Sequence, residues 1–138
     1  MKKKQVLFIC TGNSVRSQMA EAILKKMGDD KYQVFSAGSH PAPVHELTKE
    51  TLRNNEIHPN NFTSNQIDEF KYKKLDYVIV LCEVAYHYLP DFASNPEIIK
   101  WFMDDPINLV GDRENQKRGF QIAFKEIKNK IRIFFNLK

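Results

Sequence analysis

Apolar positions recur along this chain with two different periods. Short, mainly apolar runs at residues 5–9, 32–36, 76–81 and 98–102 are bounded by turn formers and read as strands. The most continuous of them, Tyr77-Val78-Ile79-Val80-Leu81, has the β-branched character of a strand covered on both faces. Elsewhere apolar residues return every three or four positions. Met19, Ile23 and Met27, with Ala20 and Leu24 alongside and Gly28 at the stop, predict a helix opening near Ser17. A weaker pattern on Val44, Leu47 and Thr51 predicts a helix over 44–54, and residues 53–61, with Pro59, read as a connection. Phe120, Phe124, Ile127, Ile131 and Phe135 mark a long final helix over 113–135, and brief helices fit 65–70 and 83–88.

Strands alternating with helices argue for an α/β fold, a parallel sheet with helices on both faces. In such sheets ligands gather beyond the carboxyl ends of the strands. Cys10 follows the first predicted strand, Ser36 ends the second, Cys82 follows the third and Asp105 follows the fourth. All four are therefore expected at one cleft. No internal repeat or composition break divides the chain, so residues 1–138 are expected to form a single domain.

The 138 residues suffice to bury roughly two-thirds of the surface of the unfolded chain. With 42% hydrophobic and 28% charged residues, neither disorder nor a membrane span is indicated. Met1-Lys2-Lys3-Lys4 imitates the start of a signal peptide, but the apolar run after it stops at Thr11-Gly12-Asn13, too early for a signal core. A cytoplasmic monomer is expected, without membrane attachment. The net charge of +4 comes from dispersed lysines, and the aromatic residues sit mostly in apolar runs rather than among them, which argues against nucleic acid and favours small anions. Two cysteines without an export signal point to reduced thiols with chemical duties. His40, His45, His58 and His87 show no metal-ligand spacing, so no zinc site is expected.

The chemistry concentrates in Cys10-Thr11-Gly12-Asn13-Ser14-Val15-Arg16-Ser17, between the first strand and the first helix. Backbone N–H groups of a tight loop, a helix N-terminus and a planar guanidinium together suit a tetrahedral oxyanion. Thr11, Gly12, Asn13, Ser14, Val15 and Arg16 are the candidate oxyanion ligands. Cys10 is the candidate nucleophile, since the same field favours thiolate over thiol. Gly12 is expected to allow the tight turn, and Asn13 tolerates left-handed backbone better than most residues. Ser17 is placed either to cap the helix or to hydrogen-bond the sulfur.

The segment CTGNSVRSQMAE, Cys10 to Glu21, closely resembles the active-site loop of the low-molecular-weight phosphotyrosine phosphatase superfamily, and most of all its arsenate reductase branch. The resemblance continues through Ser36-Ala37-Gly38, Thr63-Ser64, Leu81-Cys82 and Asp104-Asp105-Pro106. It implies a four-stranded sheet in the order 2-1-3-4, with Asp105 as general acid and Cys82 as the thiol that resolves an arseno-cysteine on Cys10. To hold a proton near neutrality Asp105 needs burial or neighbouring negative charge, which Asp104 would supply.

The chain also departs from that pattern. Leu89 stands near where the thioredoxin-coupled members carry a third redox cysteine, so a Cys10–Cys82 disulfide would be reduced directly, by glutathione with glutaredoxin or by thioredoxin. Val15 replaces a common cysteine. Ile107-Asn108-Leu109 follows the Asp-Pro pair where phosphatases place tyrosines, and residues 39–47 contain no aromatic ring other than histidine, which favours a bare oxyanion over a phosphotyrosyl protein. The resemblance further implies a potassium ion near Asn13, Glu21 and Ser36, with Asn65 in place of the usual aspartate. Two other readings stay open: a phosphatase working through phospho-Cys10, and a non-catalytic oxyanion or redox sensor.

Overall fold

The computed structural model describes residues 2–108 and 111–138, together with the backbone but not the side chain of Asp29. Four parallel strands, β1 (Lys4–Cys10), β2 (Tyr32–Gly38), β3 (Tyr77–Val80) and β4 (Glu97–Lys100), form one sheet in the order β2-β1-β3-β4. Central β1 is buried at every residue from Val6 to Cys10, and β3 from Val78 to Val80. Both faces of the sheet are therefore covered, as the unbroken apolar runs require.

Four helices supply most of that cover: α1 (Arg16–Met27), α2 (Glu46–Asn54), the single turn α3 (Glu83–Tyr86) and α4 (Arg113–Phe134). Helix α1 packs on β1, β2 and α4, whereas α3 lies against β1 and β3. The apolar stripe of α4 is buried at Phe120, Phe124, Ile127 and Ile131. Asp112 caps that helix by accepting from the Asn115 N–H at 2.9 Å. Past its end, Phe135 meets Tyr32 edge to face at 4.9 Å. Burial, and then the neighbouring Tyr77 phenol, push the Tyr32 hydroxyl above the ordinary tyrosine range.

Element boundaries differ from the sequence pattern where local bonding intervenes. Helix α2 starts at Glu46 rather than at residue 44, because His45 Nδ1 accepts from the Leu47 N–H and so caps the helix, behind Pro41 and Pro43. Residues 67–70 form a 3-10 turn closed by a capping box between Gln66 and Glu69. Strand β4 ends at Lys100, yet pairing with the β3 side continues. Trp101 N–H donates to the Val80 carbonyl at 2.8 Å and Met103 N–H to the Leu81 carbonyl at 3.1 Å. That continuation carries Asp104 and Asp105 to the end of β1. Among the described residues no helix is long and apolar enough to cross a membrane.

Candidate active site

The loop joining β1 to α1 is held from outside by its carbonyls. Ser39, His40, Ala42 and His45 donate their N–H groups to the carbonyls of Cys10, Thr11, Gly12 and Ser14, at 2.8 to 3.3 Å. Gln18 Nε2 donates to the Asn13 carbonyl at 3.0 Å and to the Thr63 carbonyl at 2.7 Å. By contrast, the N–H groups of Thr11 to Val15 find no acceptor among the described residues. A loop whose carbonyls are used and whose N–H groups are not is an anion receptor.

Arg16 completes it. Its Nη1 donates to the Met103 carbonyl at 2.8 Å and its Nη2 pairs with Asp105 Oδ2 at 3.2 Å. Arg16 Nε is the one buried side-chain nitrogen or oxygen among the described residues without a hydrogen-bond partner. A buried guanidinium N–H left unpaired is costly, and an oxyanion oxygen would satisfy it.

Behind the loop lies a polar network with a fixed direction. Asn13, at φ 50°, is the residue that turns left-handed. Its amide N–H2 donates to Ser17 Oγ at 2.8 Å and Ser36 Oγ at 2.9 Å, and its Oδ1 accepts from the Asn65 N–H at 2.8 Å. Ser36 passes its own hydrogen to Glu21. Ser17 Oγ, which accepts from Asn13, also meets Cys10 Sγ at 3.0 Å, and to a thiolate sulfur it is the hydroxyl that donates. Of the two placements open in the sequence, Ser17 thus takes the sulfur; the residue before α1 is Val15 and no side chain caps that helix.

Two sequence expectations are corrected here. Gly12 is not the tight position, since a Cβ there would make only ordinary contacts of 3.5 Å or more. Gly38 is: a Cβ would lie 2.5 Å from the Thr11 carbonyl oxygen and 2.8 Å from the Asn13 nitrogen. Strand β2 is able to approach the loop only because that side chain is missing. Ser36, in turn, does not face the anion but stands behind the loop as a partner of Asn13. Cys10, Cys82 and Asp105 do converge. Cys82 Sγ lies 3.0 Å from Thr11 Oγ1, and Asp105 reaches the loop through Arg16.

The oxygens implied for potassium already accept from protein donors. Lys25 Nζ and the Ser36 hydroxyl occupy the Glu21 carboxylate, Asn13 Nδ2 occupies Ser36 Oγ, and Asn65 Nδ2 donates to the Ser36 carbonyl at 3.2 Å. An amide donor thus stands where a carboxylate would present oxygen. This set does not fit a cation. No group of three His, Cys, Asp or Glu suited to a metal occurs among the described residues. Gln18 and Gly38 stand within the motifs of the resemblance and Thr11 among the candidate oxyanion ligands, but sequence reasoning gave no role to the Gln18 amide, the missing Gly38 side chain or the Thr11 hydroxyl, since each role depends on a partner distant in sequence. Leu109 lies outside the described residues.

The comparisons agree with this geometry. The chain is 37% identical over 134 residues to an arsenate reductase of Halalkalibacterium halodurans, covering 97% of this chain and 96% of that one. A solved arsenate reductase in the phosphate-binding state superposes with a TM-score of 0.81 at 27% identity, covering 95% of both chains. A thioredoxin-dependent arsenate reductase of Corynebacterium glutamicum superposes at 0.76 with 27% identity; it covers 97% of this chain, which spans 61% of that longer one. The model of the low molecular weight phosphotyrosine protein phosphatases matches residues 5–136, and the chain with its Cys10 to Arg16 loop belongs to that family.

Proposed function

We propose that the protein reduces arsenate to arsenite with Cys10 as nucleophile and Cys82 as resolving thiol. Arsenate binds to the N–H groups of residues 11–15 and to Arg16, and the Ser17 hydroxyl supports the Cys10 thiolate. Cys10 Sγ attacks arsenic while an oxygen leaves as water with a proton from Asp105. Asp105 gives up its pairing with Arg16 as the anion arrives and takes a proton from the incoming dihydrogen arsenate, which it returns to the leaving oxygen. The Cys82 thiolate then attacks Cys10 Sγ. The sulfur–arsenic bond breaks, its electron pair stays on arsenic, arsenite departs and a Cys10–Cys82 disulfide remains. An external thiol system, glutathione with glutaredoxin or a thioredoxin, returns the two electrons.

The observation that carries this reading is the Cys82 thiol beside Thr11, one residue from the nucleophile. A phosphatase that finishes with water has no use for a second thiol there. Strand register sets what the closure requires. Ile9 pairs with Val80, so Cys82, still extended at φ −150° and ψ 150°, lies one step past the position opposite Cys10. Regular parallel spacing puts such Cα atoms about 6 Å apart, within the span of a disulfide. Alternation sends the two side chains to opposite faces, so the sulfurs meet only when the segment that begins at Cys82 moves.

Single-turnover reaction of the reduced protein with arsenate, without external reductant, tests this. One arsenite per chain and loss of two thiols are expected, both abolished in Cys82→Ser. Retention of both thiols, with aryl phosphate hydrolysed equally well by wild type and Cys82→Ser, would replace the reductase by a phosphatase.

A further inference from the structure

One carbonyl of the oxyanion loop is held differently from its neighbours. Backbone N–H groups of residues 39–45 pin the carbonyls of Cys10, Thr11, Gly12 and Ser14. The Asn13 carbonyl receives none of them. Its donors are two side chains, Gln18 Nε2 at 3.0 Å and Ser64 Oγ at 3.3 Å, and Ser64 shares its one hydrogen with the Gly12 carbonyl at 3.1 Å. Asn13 is also where the loop turns left-handed, at φ 50°. A residue other than glycine enters that region at a cost, so the peptide after Asn13 needs support from outside the backbone.

That support secures the next N–H group. In a trans peptide the Asn13 carbonyl and the Ser14 N–H point in opposite directions. With the carbonyl drawn outward to Gln18, the Ser14 N–H is aimed into the loop beside those of its neighbours. Gln18 is 5% exposed, and its second amide hydrogen goes to the Thr63 carbonyl at 2.7 Å, which locks the amide in one orientation. We propose that Gln18 is a positioning residue for the oxyanion, which keeps the 13–14 peptide turned so that the Ser14 N–H faces the anion. Without it that peptide turns over in part of the population, and a carbonyl oxygen replaces a donor in front of a negative charge. Apparent affinity then falls with the fraction of chains that stay competent to bind. The proposal rests on the oxyanion loop of the arsenate reductase reading but not on what becomes of the anion, so inorganic phosphate is the probe.

Calorimetry with phosphate compares Gln18→Met, which keeps the side-chain volume and removes both donors, with Thr48→Val. Thr48 Oγ1 donates to the Ser14 carbonyl at 2.8 Å, but the His45 N–H holds that carbonyl as well, at 3.1 Å. Gln18→Met lowers phosphate affinity by about ten- to hundredfold, the span of one hydrogen bond to a charged group. Ser64→Ala, which takes away the longer bond and leaves the helix untouched, lowers it less. Thr48→Val loses stability in phosphate-free denaturant unfolding and binds phosphate as wild type does. Nuclear magnetic resonance supplies a local signature. The Ser14 amide signal of phosphate-free Gln18→Met is displaced from wild type and returns to the wild-type position at saturating phosphate. Wild-type affinity in Gln18→Met, or in Ser64→Ala where the first does not fold, would overturn the role of Gln18. So would an equal loss of affinity in Thr48→Val, or a Ser14 signal that phosphate leaves displaced. A wild type that binds no phosphate would overturn the oxyanion loop itself, and the proposed function with it.

Discussion

The two sides of the oxyanion loop are built differently. Behind it, Asn13, Ser17 and Ser36 are buried and linked by short hydrogen bonds, with strand β2 pressed against the loop at Gly38. In front, Cys82 is held by one hydroxyl, Asp105 by one ion pair and one backbone N–H, and Tyr88 by one ring. In the proposed mechanism the dense side fixes atoms that must not move: the Cys10 sulfur and the N–H groups that receive the anion. The sparse side carries the groups that must release a proton, turn toward Cys10 or make way for the anion. Preorganisation and mobility are thus divided between opposite faces of one loop.

Substitutions behind the loop are expected to change stability and anion binding together, and those in front to change turnover alone. Gly38→Ala has the largest effect. Its methyl group enters the space of the Thr11 carbonyl, so phosphate affinity measured by calorimetry falls by more than about a hundredfold, and overpacking costs about 1–3 kcal/mol in denaturant unfolding. Near-normal affinity in that variant would mean that the loop is not set by β2, and the division would lose its basis. Asp105→Asn, on the sparse side, lowers kcat by about a hundredfold while phosphate affinity and the unfolding midpoint stay close to wild type. A large loss of stability there would erase the contrast.

Ser36→Ala gives a smaller and mixed effect. It leaves one Asn13 N–H and the Glu21 carboxylate short of a partner, so stability falls by about 1–2 kcal/mol and iodoacetamide alkylation of Cys10 slows a few-fold. The smallest expected change lies far from the loop, at Tyr32. A hydroxyl held above its ordinary range in the folded chain stabilises fully below the unfolded tyrosine value and loses that contribution as pH rises through the folded one. Wild type should therefore lose stability more steeply than Tyr32→Phe above about pH 10, with the two alike at pH 7. A pH-dependent difference at neutrality would place the cause elsewhere.

Much of this was legible in the one-dimensional pattern. The apolar runs and helical stripes locate every strand and α-helix to within a few residues, because burial of a two-sided sheet and of one helix face dictates which positions are apolar. The sequence of Cys10 to Ser17 likewise announces an oxyanion loop, since its residue types and spacing carry the chemistry locally. Ser17 shows where that local logic ends. Its place near the helix start fits both a cap and a sulfur partner, and only the folded contact of its hydroxyl with Cys10 Sγ at 3.0 Å decides between them.

What the chain alone determined is therefore what adjacent residues determine: strands, helices, and the loop that joins Cys10 to Arg16. Tertiary structure decided the rest, because the deciding contacts join residues distant in sequence. Gly38 matters through a loop some 26 positions earlier, Asn65 through an amide on Ser36, and Cys82 through a hydroxyl 71 residues away. Hydrogen bonds and hard-sphere contacts act over a few ångströms of space, whatever the separation along the chain, and only the folded sheet brings these groups within that range.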